Sequence, residues 1–122
     1  MTASEIYKII SKDEWAAAEA VGVFKGASID LTDGFIHFST AAQAPETAAL
    51  HFTEQEGLLL VSVSTDALGD ALKWETSRGG DLFPHLYVSL EMRHVARVDD
   101  LPVGPDGRHA FPAHVIAAGE SS

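Results

Sequence analysis

Hydrophobic and polar positions along the chain change period several times, and each change marks an element. "EIYKII", from Glu5 to Ile10, reads as a short strand. "SKDEWAAAEAVG" then carries helix signals. Ser11 is placed as N-cap, Glu14 three residues on as its capping-box partner, and Gly22 as the C-terminal stop. Trp15, Ala18 and Val21 fall on the side expected to be buried. "FKGASIDLTDG" is dense in turn formers and is expected to be a loop. "FIHFS" predicts a second strand. "TAAQAPETAALHF" predicts a second helix, with Thr40 and Gln43 as a further capping box and Pro45 confined to its first turn. "LLLVSVS", "ALKWE", "HLYVSLEM" and "HVARVDDL" predict further strands. The tail from about residue 102 holds most of the prolines and is expected to be irregular.

Helices early and strands late, without regular crossover helices, predict an α+β domain. The expected form is a bent or split mixed or antiparallel sheet of about six strands. Two helices from the N-terminal half would pack on its apolar side, with a cleft on the other. The 122 residues suggest one domain spanning 1–122.

Alternation along the strands raises a question about chemistry. In "FIHFS", Phe35, His37 and Ser39 share a face, with Ile36 and Phe38 opposite. In "HLYVSL", His85, Tyr87 and Ser89 share a face. Lys8 sits between Ile6 and Ile10 on the first strand. A solvated sheet face favours Lys, Glu and Thr, whereas these faces hold His, Tyr, Ser and Phe. Aromatic surface with a few titratable groups is the usual lining of a small-molecule site. The loop "WETSRGG" adds Glu75, Arg78 and two glycines able to turn backbone N–H groups toward an anion.

Composition narrows the partners. Eighteen acids against eight basic residues give a formal charge of −10, which repels phosphate backbones and argues against nucleic-acid binding. The chain has no cysteine, so disulfides and thiolate metal sites are excluded. There is neither a signal-peptide pattern nor an apolar run long enough to span a bilayer, so no membrane partner is expected and the expected location is the cytoplasm. The sequence specifies no oligomeric state.

Three segments, "DGFIHFSTAAQ…ETA…HF", "LKWE.SRGG..FPHLY" and "DGRHAFP", resemble the bacterial domain-of-unknown-function family numbered 952, from about Ile6 to about Pro112. The resemblance implies an ADP-ribosyltransferase-like fold. It sets His37 near the position of that fold's strand tyrosine. "HFS" is similar to the His-x-Ser of RNA 2′-phosphotransferases. Lys8 stands at the early-strand histidine position, and His85 and Tyr87 stand around that of the late-strand glutamate. Glu75 lies one strand earlier.

Two readings share these residues. In an enzyme acting on a nucleotide-type ligand, His37, His85 and Glu75 would be the catalytic set. Lys8, Ser39, Arg78 and Tyr87 would hold the ligand, with NAD as the cofactor that the resemblance suggests. In a non-catalytic module the same residues would bind a small molecule without chemistry. A third, weaker reading makes His37, His85 and Glu75 a two-histidine, one-carboxylate metal set. His51, His94, His109 and His114 are assigned packing or surface roles, and Trp15 and Trp74 core roles.

Overall fold

The structure is a computed structural model that describes residues 5–76 and 80–121. Its first sheet is built on two strands that are buried along nearly their whole length. β1 (Glu5–Ser11) pairs antiparallel with β4 (Leu58–Ser64), which pairs antiparallel with β8 (Val95–Leu101). A strand buried at nearly every position is covered on both faces. Two clusters provide it. Ile6, Ile10, Val61 and Val63 lie on one face with Trp15, Phe24, Ile36 and Leu86. Tyr7, Ile9, Leu58 and Leu60 lie on the other with Ala48, Leu101 and Val115.

The helices are therefore divided between the faces, not gathered on one side as the sequence suggested. α1 (Lys12–Val21) is capped as expected. Ser11 Oγ accepts from the Glu14 N–H at 3.2 Å, and Gly22 closes the helix at φ 97°. It buries Trp15 and Ala18 in the first cluster, while Val21 is 71% exposed, correcting its assignment. α3 (Ala44–His51) and α5 (Ala113–Ser121) cover the second cluster through Ala48 and Val115. The Thr40–Gln43 capping box forms, with Gln43 N–H donating to Thr40 Oγ1 and Gln43 Oε1 accepting from Thr40 N–H, one turn ahead of α3.

Three helices were not anticipated. α2 (Ser28–Asp33) sits in the segment read as loop, α4 (Thr65–Leu68) follows β4, and α5 lies in the tail read as irregular. The first two are too short to show an apolar stripe. α5 was masked by the prolines before it, yet Pro112 can precede a helix start at no loss.

A second sheet has β6 (Leu82–Leu86) at its centre, between β3 (Ile36–His37) and β5 (Leu72–Thr76), all antiparallel. A small pair, β2 (Val23–Phe24) with β7 (Leu90–Glu91), completes the eight strands among the described residues. "HLYVSLEM" is thus two short strands, not one. It breaks at Tyr87, whose N–H donates to Ala71 O. The α+β class and the antiparallel sheets agree with the sequence reading, although strands and helices are more numerous than expected. Among the described residues no helix is long and apolar enough to cross a membrane.

One rung joins the two sheets. Tyr7 and Ser39 exchange both backbone hydrogen bonds at 2.8 Å. Antiparallel spacing would set the next such rung between Ile9 and His37. It is not made, because the His37 N–H donates instead to the carboxylate of Asp30, at 3.1 Å. The sheet is split there.

Candidate functional site

The split opens into a cavity of about 530 Å³. β1 contributes Tyr7, Lys8 and Ile9, β3 and its continuation His37, Phe38 and Ser39, β6 Phe83 and His85, and α3 with its C-cap Thr47, His51 and Phe52. Four of the sequence-predicted site residues, Lys8, His37, Ser39 and His85, therefore line one hollow. His37 and His85 are register partners across β3 and β6, and their ring centroids are 5.5 Å apart. Glu75 and Tyr87 do not line the cavity. Arg78 lies outside the described residues.

Asp30 organises one side of this site. It is the third residue of α2, and its Oδ2 accepts from the Ala27 N–H at 2.8 Å. Lys8 Nζ reaches both of its oxygens, at 3.0 and 2.9 Å. His37 Nδ1 lies 2.6 Å from Oδ1. Burial acting alone would raise the Asp30 carboxyl. The hydrogen bond from His37, the charge and hydrogen bond of Lys8 and the Ala27 N–H outweigh it, holding the carboxyl at about 2. Burial pushes the Lys8 ammonium down, opposed by Asp30. A glycine is required beside this carboxylate. Gly26 has φ 124°, and a Cβ there would stand 2.8 Å from the Asp30 Cβ.

The second nitrogen of His37, Nε2, lies 3.0 Å from Asp33 Oδ2. Both ring nitrogens thus face carboxylates. Lys8 and His37 are consequently committed to acids and offer the cavity hydrocarbon and ring surface more than free donors.

The other histidine differs. His85 is 5% exposed, and its Nδ1 lies 2.8 Å from Glu75 Oε1. Tyr87 Oη donates to the same oxygen at 2.6 Å. The Tyr87 hydrogen bond, followed by that of His85, lowers the Glu75 carboxyl, and the same contact raises the Tyr87 phenol. An ionised carboxylate only accepts, so Nδ1 of His85 carries the proton in the neutral ring and Nε2 bears the lone pair. Among the described residues Nε2 has no hydrogen-bond partner. Phe35 packs on this group, 4.1 Å from the His85 ring and stacked, 4.6 Å from His37 and 5.2 Å from Tyr87.

Ser39 is buried, with Oγ 3.0 Å from Thr47 Oγ1, which donates to Gln43 O. The lining residues Tyr7, Ile9, Phe38, Thr47, His51, Phe52 and Phe83, and the organising Asp30, escaped the sequence reading of the site. Asp30 was hidden in an apparent loop. Thr47 and His51 were legible only as an i, i+4 pair on one face of α3, and Phe83 only once β6 is extended back to Leu82. The metal set does not assemble. His37 and His85 are held by different carboxylates, and among the described residues no three His, Cys, Asp or Glu groups are arranged to hold an ion.

A family profile described as protein of unknown function (DUF952) matches residues 9–98. The chain belongs to this family. A crystal structure of protein CC0527 from Caulobacter crescentus is 49% identical, covers 93% of this chain and 99% of its own, and superposes with a TM-score of 0.88. A solution NMR structure of the same Caulobacter protein is 50% identical over 90% of this chain and 95% of its own, with a TM-score of 0.81. No curated protein matches the chain. The similarity extends over nearly the whole fold and supplies no reaction.

Proposed function

We propose that this DUF952 chain binds a nucleotide-type small molecule, of the NAD or ADP-ribose kind, in the cavity at the sheet split. The observation that carries the reading is the cavity itself. Its volume of about 530 Å³ falls within the range of small-ligand sites, and aromatic walls surround a few polar groups. Phe83, Phe52 and Tyr7 supply surface for a planar ring. Ser39, Thr47 and His51 supply hydroxyl and imidazole groups for ribose-type hydroxyls. The missing rung leaves the backbone N–H and C=O of Ile9 outside the β1–β3 ladder, available as one donor and one acceptor. We assign the split arrangement to the ADP-ribosyltransferase-like class, in keeping with the resemblance of "HFS" to that class.

The pairing of Lys8 and His37 with carboxylates favours recognition through ring and hydroxyl groups over capture of a bare phosphate. The test is thermal unfolding with NAD, ADP-ribose or inorganic phosphate in excess. Ligand at a hundredfold its Kd stabilises by about 2.7 kcal/mol. NAD or ADP-ribose should raise Tm, phosphate alone should not, and His51→Trp at the exposed rim should remove the effect. Equal shifts in the native chain and His51→Trp, or none at all, would contradict the reading.

A further inference from the structure

We infer that His85 is a general base of the cavity and Glu75 the residue that positions it. This deepens the ligand reading and rests on it. The two histidines are register partners, yet among the described residues His37 meets carboxylates at both ring nitrogens and His85 at one. His37 meets a carboxylate at each nitrogen, at 2.6 and 3.0 Å, so both nitrogens are already engaged within the network. His85 meets one carboxylate, at Nδ1. Glu75 lies outside the cavity lining and His85 within it. The imidazole therefore bridges from the rim acid to the hollow.

The surroundings fix that orientation. Phe35 stacks on the ring, and the Glu75 oxygen that receives Nδ1 also receives Tyr87 Oη. A carboxylate that orients an imidazole on the wall of a ligand space is the arrangement general-base chemistry needs. The step is proton transfer from a hydroxyl, of water or of the ligand ribose. The O–H bond breaks, its electron pair stays on oxygen, and the proton passes to Nε2. The resulting imidazolium is met by the charge of Glu75.

Two measurements test this without depending on each other. Long-range proton–nitrogen NMR of the ligand-free chain should show neutral His85 protonated on Nδ1. In Glu75→Ala it should shift toward the commoner Nε2-protonated form, with the fold retained. An Nε2-protonated ring in the native chain, or no change in Glu75→Ala, overturns the positioning role. Product analysis by mass spectrometry after incubation with NAD or ADP-ribose should then show turnover. His85→Ala should reduce it by about a hundredfold or more, while thermal shifts show the ligand still bound. Binding with turnover that is absent, or unchanged in His85→Ala, overturns the catalytic role and leaves the binding reading standing. Absence of any nucleotide binding overturns the binding reading itself, whatever the tautomer.

Discussion

Two histidines face each other across one strand pair, and their surroundings give them opposite characters. His37 belongs to a closed network with Asp30, Asp33 and Lys8, in which each charged or donor group meets a partner. His85 belongs to an open one, anchored at Nδ1 by Glu75 and without a partner at Nε2 among the described residues. The first network holds the sheet apart, because Asp30 takes the N–H that would otherwise continue the β1–β3 ladder. The second stands beside the space so created. A residue type repeated in matching register thus stands in a closed network at one position and in an open one at the other.

The comparison breaks most sharply at Asp30. Asp30→Ala leaves the Lys8 ammonium buried without a partner, the backbone N–H groups of Ala27 and His37 unsatisfied and His37 Nδ1 without its carboxylate. Loss of one member of a buried ion pair costs about 3–5 kcal/mol, and urea denaturation should show a loss of that size. Gly26→Ala attacks the same network from its backbone. It forces a Cβ to 2.8 Å from Asp30 at a φ of 124°, and the same measurement should show a loss of about 2 kcal/mol.

Acid dissects the closed network without mutation. The Asp30 carboxyl is held at about 2, against an ordinary 3.8, so between those values the unfolded chain binds more protons than the folded one. The stability Asp30 contributes is complete above about pH 4 and is lost as pH falls toward 2. It amounts to about 2 kcal/mol. Denaturation midpoints followed over that interval should fall, and Asp30→Asn should flatten the Asp30-dependent part of the slope. The smallest stability effect is expected at Glu75→Ala, since that carboxylate is largely solvated. Its denaturation midpoint should stay close to native. A large loss there would make the open network as architectural as the closed one.

Much of the site was legible because strands announce which side chains share a face. Ile36 and Phe38 do enter the core while Phe35, His37 and Ser39 turn away, and His85 does oppose His37. The N-cap of α1 and the capping box before α3 were likewise readable from Ser11, Glu14, Thr40 and Gln43. Asp30 was not. α2 spans only Ser28–Asp33, too few residues for a helical period to emerge from a run of turn formers. Nor does the sequence say that Lys8 and Asp30, 22 positions apart, are ion-paired. The placement of α3 on the second face escaped for a related reason. Strands buried along nearly their whole length were read as having one wet face, whereas "EIYKII" and "LLLVSVS" are covered on both. Tyr87 was assigned to the cleft by extending β6 past its end, and it instead turns outward to Glu75.

If the split between β1 and β3 is a ligand site, backbone amide NMR during titration with ADP-ribose will locate it. Shifts should concentrate at Tyr7, Ile9, Ser39, Thr47 and Phe83 and saturate together. Shifts confined to β8 and α5, or none at concentrations well above those of ordinary nucleotide binding, would contradict that reading.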